Sequence, residues 1–398
     1  MTQPATLEAL SLARWTQTMT HSAIQDALAA IAQPDVLSFA LGLPAPELFP
    51  SELFAQAATH VLATEPYALQ YQPALQPLKA QIVELMAQRG VTCREQQVFL
   101  TTGAQQALSL LARMLLDPGG QVIAEETIYS GFLQAIEPFQ PTVLTVPTDL
   151  ETGMDVDAVE ALLSDRARPA FIYAISDGHN PLAVSMSAEK RARLVELAQQ
   201  YGVPIIEDDA YGFLWYENRS SPPLRALDEQ WVFYAGSFSK ILAPSLRAGW
   251  LIVPEELVPT LSAIKEASDI NTSTFTQRII AAYIEAGHLP EHIATLRRVY
   301  HTRRDAMLDA LQAHFPSEAR WRTPTSGLFI WVELPSAVDT GELLRRAIAV
   351  DKVAFIPGHA FGVGGSRRSA HCMRLNFSNC DPERIEEGIT RLARALSR

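Results

Sequence analysis

Cysteine is scarce. Three occur in 398 residues, Cys93, Cys372 and Cys380, and no two are spaced as CxxC. That excludes a disulfide scaffold and leaves a reduced, cytoplasmic protein as the expectation. Long hydrophobic runs are also missing. No apolar stretch approaches the roughly 18 residues needed to span a bilayer, and Glu8, Arg14 and Asp26 interrupt the apolar core a secretory leader would need. Positive charge is in deficit: 32 Lys and Arg stand against 44 Asp and Glu, a net charge of −12. Neither nucleic acid nor an anionic membrane is therefore expected as the main partner. No repeat of fixed period and no low-complexity tract occurs, so solenoids and propellers drop out. What is present is a 48% hydrophobic chain, 19% charged, long enough for two or three domains with a substantial core.

The pattern along the chain has three textures. The N-terminal arm carries one predicted helix, Ser22 to Ala32. The Pro-dotted stretch Leu43-Pro44-Ala45-Pro46-Glu47-Leu48-Phe49-Pro50 then suits neither a helix nor a central strand and reads as a linker. From about residue 98, short apolar runs alternate with helical segments. Gln97 to Leu100, Gln121 to Ala124, Thr142 to Val146, Ala170 to Ile175, Val203 to Glu207, Trp231 to Ala235 and Trp250 to Val253 read as buried strands. Ala104 to Leu116 and Met186 to Gln200 have helical apolar spacing between them. Such alternation implies an α/β fold with a largely parallel sheet covered on both faces. After about residue 285 comes a smaller α+β unit: a long charged helix from Glu291 to Ala313, strands at Gly327 to Leu334, Val353 to Ile356 and Met373 to Phe377, and a last helix from Pro382. The expected division is an arm over 1–47 packing with the small domain, a large domain over 48–285 and a small domain over 286–398.

Three stretches suggest chemistry. In Ser237-Phe238-Ser239-Lys240, a strand ends in hydroxyl residues and then a lysine, with Arg247 and Gly249 following. Such a lysine would sit at the carboxyl edge of a parallel sheet, where open α/β folds bind ligands. Thr101-Thr102-Gly103-Ala104-Gln105 follows a strand and opens a helix, so free N–H groups there suit a phosphate. Val203-Pro204-Ile205-Ile206-Glu207-Asp208-Asp209 is a buried strand ending in acids, and one carboxylate could accept a hydrogen bond from a protonated heterocyclic nitrogen. Each feature alone has an ordinary reading as a surface lysine, a glycine turn or a cap. Together with Tyr129 and the Asn180-Pro181 turn, they are the groups a pyridoxal phosphate enzyme needs.

In this order the sequence resembles the class I/II aminotransferases of pyridoxal phosphate fold type I, nearest the 2-aminoadipate, kynurenine and aromatic branch, over nearly the whole chain. The resemblance implies a large domain with a mostly parallel mixed sheet sandwiched by helices, plus a smaller α+β domain. It also implies an enzyme that moves an amino group from an α-amino acid to a 2-oxo acid by a ping-pong mechanism through pyridoxamine phosphate. Lys240 matches the Schiff-base lysine that also shuttles the Cα proton. Asp208 matches the acid that keeps the pyridine nitrogen of pyridoxal 5'-phosphate protonated. Tyr211 and Asn180 resemble the pair on its phenolic oxygen, and Tyr129 the aromatic that stacks on its ring. Gly103, Ala104, Gln105, Ser237, Ser239 and Arg247 would surround its phosphate. Arg374 matches the receptor of the substrate α-carboxylate, with Asn180 beside it and Gly42 and Phe329 bordering the substrate side chain. Tyr71 resembles the tyrosine that reaches the neighbouring subunit's phosphate, which implies a homodimer.

Departures cluster on the substrate and dimer side. Asn180-Pro181-Leu182-Ala183 replaces Asn-Pro-Thr-Gly, which puts a glycine conformation in question. Ser176-Asp177-Gly178-His179 replaces the usual lead into that turn. Gln72, Gln76 and Lys79 also differ from the pattern. The altered turn motivates an alternative outcome on the same cofactor: decarboxylation, elimination or oxidation by O2. His179 reads as a turn histidine bonded to backbone or solvent, with an acid–base role as the sharper option. His288 and His292 are spaced for a metal, but Pro290 between them is expected to break the helix, so no metal is expected. Gly362-Val363-Gly364-Gly365 follows no βαβ start and reads as a mobile loop.

Overall fold

The structure is a computed structural model that describes residues 11–17, 35–217 and 221–398. The predicted helix Ser22 to Ala32 lies outside the described residues.

Seven strands form the main sheet: β1 (Val98–Thr101), β2 (Gln121–Glu125), β3 (Thr142–Val146), β4 (Pro169–Ala174), β5 (Ile205–Asp209), β6 (Val232–Ser237) and β7 (Gly249–Ile252). Their order is β1-β7-β6-β5-β4-β2-β3. All neighbours are parallel except β7, which runs antiparallel to both β1 and β6. The predicted strands are all present, with ends displaced by at most two residues, but β3 is not buried as expected: it is an edge strand with Thr142 and Thr145 exposed.

Period-2 alternation explains why the runs are apolar throughout. In β4, Phe171 and Tyr173 pack on one face with Leu108 and Leu111 of helix α1 (Ala104–Leu115). Ile172 and Ala174 pack on the other face with Leu194 and Leu197 of helix α2 (Ala188–Tyr201). Each fully buried Leu or Ile contributes about 1.5–3 kcal/mol. Helix α2 is bounded by local chemistry: the Ser187 hydroxyl accepts from Lys190 N, and Gly202 turns left-handed at φ 67°.

The C-terminal part builds a second, antiparallel sheet from β8 (Arg320–Trp321), β9 (Phe329–Glu333), β10 (Ile356–Pro357) and β11 (Cys372–Asn376), in the order β8-β9-β11-β10. Helices α3 (His288–His314) and α4 (Pro382–Leu396) pack beside it. Helix α3 corrects one expectation: it starts at His288, so Pro290 is its third residue. Proline is tolerated in a first turn because those N–H groups have no intrahelical acceptor. Both histidines instead pack on Tyr283.

The Pro-dotted stretch is more than a linker. Prolines favour an extended path with a short 3-10 turn at Pro46–Leu48, and that path is tied down along its length. Leu37–Ser38 pairs in parallel with Val353–Ala354. The Phe39 carbonyl accepts from Asn376 N at 2.8 Å, and the Leu43 carbonyl from Ser378 Oγ at 2.7 Å. Ala45 N donates to Tyr300 Oη at 3.2 Å, and Glu47 pairs with Arg303. The glycine-rich stretch after Phe361 is hydrogen-bonded to the main sheet's side at its start. Ile128 N donates to the Phe361 carbonyl and Val363 N to the Glu126 carbonyl, both at 3.0 Å.

Candidate active site

The carboxyl edge of the main sheet and the tied strap enclose a cavity of about 340 Å³. Its lining brings together Gly42, Ala104, Gln105, Tyr129, Asn180, Asp208, Tyr211, Ser237, Ser239, Lys240, Arg247, Phe329 and Arg374. Sequence reasoning missed Leu41, Leu43, Ile175, Ala210 and Pro244, which also line it. They are apolar or backbone-dominated positions that carry no chemical signature.

Lys240 follows the end of β6. Its Nζ donates to the Gly42 carbonyl at 2.7 Å. Burial first, then the Arg374 and Arg247 cations, lower its pKa to about 8. Gly42 lies against Phe329, where an added Cβ would stand 2.6 Å from the ring, so the strap can pass this close only with glycine there.

Asp208 ends β5 and is buried. Its Oδ2 accepts from Tyr173 Oη at 2.7 Å, and its Oδ1 has no hydrogen-bond partner among the described residues. Burial raises its pKa to about 6 despite the Tyr173 hydrogen bond. Asp209 alternates to the other side of the strand. There Arg89 and Tyr234 donate to its Oδ2 and Gly212 N to its Oδ1.

Arg374 of β11 is buried without a carboxylate partner among the described residues. Its Nη1 donates to Asn180 Oδ1 and its Nη2 to the Ala40 carbonyl, both at 2.6 Å. Nε is unpartnered. Its guanidinium lies 4.1 Å from the centre of Phe329 and 4.8 Å from that of Phe361. Burial lowers its pKa to about 10. A desolvated cation held by neutral acceptors is a receptor for an anion.

At the start of α1, Ala104 and Gln105 hold the first-turn N–H groups that lack intrahelical acceptors. Gly103 precedes them at φ 100°, a left-handed conformation, and Arg247 Nη2 would stand 3.2 Å from a Cβ there. Arg247 donates to the Thr102 carbonyl at 2.8 Å. Gln105 is fixed by Gly131 and Tyr129. Burial pushes the phenol of Tyr129 up to about 12. It raises that of Tyr211 as well, which also packs edge-on against Phe329 at 5.8 Å.

Two expectations change. His179 is bonded to backbone as expected, Leu182 N donating to its Nδ1 at 3.4 Å, but not to solvent: it is 1% exposed, with Nε2 2.9 Å from Glu125 Oε2, and it does not line the cavity. The Asn180-to-Ala183 turn keeps the left-handed conformation expected of the missing glycine, because Ala183 itself adopts φ 61°. Tyr71 is not brought to the cavity of its own chain: it is 82% exposed and borders a separate surface groove with Gln72, Lys79 and Ile270.

The family model for aminotransferase class I and II matches residues 35–392. The chain belongs to the class I and II aminotransferases. Relatives of this family include aromatic-amino-acid aminotransferase 1 of Thermococcus litoralis, 38% identical over 95% of this chain and 92% of that protein. The 2-aminoadipate transaminase of Thermus thermophilus is 38% identical over 94% of each. Among solved structures, an alpha-aminoadipate aminotransferase from Thermus thermophilus, complexed with N-(5'-phosphopyridoxyl)-L-leucine, superposes with a TM-score of 0.90 at 36% identity over 97% of both chains. This aminotransferase cavity fits pyridoxal 5'-phosphate: the bare Asp208 Oδ1 suits a ring N–H, Lys240 an aldehyde, and the first turn of α1 with Arg247 a phosphate.

Proposed function

We propose that this aminotransferase passes the amino group of an α-amino acid to a 2-oxo acid in two half-reactions, with Lys240 as covalent anchor and proton carrier and Arg374 as carboxylate receptor. The observation that carries this reading is one cavity holding a depressed-pKa lysine, a half-satisfied buried carboxylate and a buried guanidinium without an acid. Pyridoxal 5'-phosphate, when bound, supplies an electron sink for the substrate Cα. Lys240 holds its aldehyde carbon, Asp208 its ring nitrogen, and Asn180 and Tyr211 its phenolic oxygen. Tyr129 covers its ring. Ala104, Gln105, Ser237, Ser239 and Arg247, with Gly103 leaving room, hold its phosphate.

With a pKa of about 8, roughly a tenth of Lys240 is the free amine at pH 7. Its Nζ can then take a proton from the substrate Cα and pass it to the carbon that carried the aldehyde within the same half-reaction, and in the other half-reaction it moves a proton the opposite way. Arg374 gives up neutral acceptors for the substrate carboxylate, and the exchange strengthens its hydrogen bonds because the new acceptor is charged. Gly42 and Phe329 border the substrate side chain.

The active unit is a homodimer in the cytoplasm, with the chain divided at about residues 48 and 286. Tyr67, Leu69, Tyr71 and Ile270 are 66%, 77%, 82% and 67% exposed, an apolar face suited to a second copy of this chain. Across it, Tyr71 reaches the partner's phosphate site. Three buried free cysteines fit a reducing compartment.

Borohydride reduction of protein loaded with the cofactor, followed by peptide mass analysis, tests the assignment. A pyridoxyl adduct on the Lys240 peptide, together with one equivalent of 2-oxo acid released from an amino acid without acceptor, is expected. Absence of either overturns it.

A further inference from the structure

Tyr173 stands behind the cavity wall, one residue before the end of β4. A tyrosine in an otherwise apolar buried strand must find a partner for its hydroxyl. Its partner is Asp208 Oδ2, at 2.7 Å. The pairing follows from register: Tyr173 lies opposite Ile206 across the parallel β4–β5 ladder, and residue 208 returns to the same face of β5. The ring cannot swing away. It is fully buried and stacked on Phe132, with centroids 3.8 Å apart and planes within 11°. Burial keeps its phenol protonated, and so a donor.

A carboxylate offers two equivalent oxygens and can rotate. Here one oxygen is occupied from behind, and the other is bare and belongs to a cavity residue. We propose that Tyr173 is a positioning residue that occupies Oδ2 of Asp208, fixes the carboxylate plane and leaves Oδ1 as the single acceptor for the cofactor's ring N–H. This rests on the reading of Asp208 given above. The same hydrogen bond favours the ionised carboxylate against its burial. The other groups facing Asp208 are Asp209 on its own strand, His179 before the Asn180 turn, and Tyr129 and Tyr211 at the cavity. Among the described residues, the bond from Tyr173 is the one hydrogen bond that reaches the carboxylate itself.

Cofactor-free full-length protein is titrated with pyridoxal 5'-phosphate as wild type, Tyr173→Phe, Asp208→Ala and the double variant. Tyr173→Phe is expected to weaken binding about tenfold and to raise by about one unit the pH below which affinity falls. Asp208→Ala is expected to weaken binding more, and adding Tyr173→Phe to it to change nothing further. A 3-fluorotyrosine at 173, which keeps ring and donor, should bind within about twofold of wild type. Wild-type affinity in Tyr173→Phe beside a weakened Asp208→Ala overturns the role of Tyr173 alone. Equal weakening in both backgrounds also overturns it, since Tyr173 then acts through packing. An unaffected Asp208→Ala overturns the reading of Asp208 itself.

Discussion

Two sets of buried charges lie a few residues apart and are built on opposite principles. In the first, Asp177 and Asp209 are bridged by Arg89, and Arg191 closes on Asp177 at 2.8 Å and on the Ser176 and Met186 carbonyls. Every member has charged or strong partners, and carboxylates more than offset what burial takes from the Arg89 cation, raising its pKa. In the second, Lys240 and Arg374 rest on neutral acceptors and Asp208 keeps a bare oxygen. The saturated set clamps the lead into the Asn180 turn to the end of β5. The unsaturated set is left with bonds it can exchange. Stability and reactivity are thus separated by alternation along one strand, Asp209 serving the first and Asp208 the second.

The comparison is broken most severely at Arg89. Arg89→Met leaves buried Asp209 without a cation and Asp177 with Arg191 alone, and should destabilise the fold by about 3–5 kcal/mol, read in denaturant titrations. A loss below about 1 kcal/mol would mean the clamp is dispensable. Arg374→Lys tests the other set: losing the planar two-pronged donor should lower kcat/KM about 100-fold, near 3 kcal/mol, while thermal stability stays level or rises. A matching fall in stability would place Arg374 with the clamp instead.

The pH dependence of cofactor uptake sharpens the same contrast. In the proposed role Lys240 reacts as the free amine, and its pKa is lowered to about 8. The uptake rate should therefore rise about tenfold per pH unit below 8 and level off above it. Continued growth towards pH 10 would mean that burial and the two arginines do not act on this amine. The smallest effect is expected at Ala183. Ala183→Gly relieves a left-handed residue, worth about 1–2 kcal/mol, but gives back chain entropy and a buried methyl, so the net change should stay within about 1 kcal/mol. A larger loss would show that the methyl, not the backbone, sets the turn.

Much of this was legible in the sequence, and the limits are physical. Strands buried on one or both faces announce themselves as apolar runs, so all seven are placed, the half-exposed edge strand β3 included, and the end of β5 carries Asp208 while that of β6 leads to Lys240. The strap over residues 37–47 was not legible. It is held largely by carbonyls accepting from Arg374, Lys240 and Ser378, and every residue type carries a carbonyl. The clamp was hidden too, because Arg89 meets Asp177 and Asp209 across 88 and 120 positions. His179 misled because its partner, Glu125, sits at the end of the neighbouring strand β2, 54 positions earlier in the chain. Tyr173 did leave a trace: a hydroxyl inside an apolar strand asks where its hydrogen bond goes.

The antiparallel course of β7 sets a length standard. Because the chain doubles straight back, with Gly249 opposite both Ser237 and Thr101, the amine at 240 and the guanidinium at 247 sit on one short span pinned at both ends. With the proposed roles of Lys240 and Arg247, the gap between the reactive head of a guest molecule and its anionic tail would be gauged by a tethered stretch of backbone, which a guest with a longer or shorter arm could not satisfy at both ends at once.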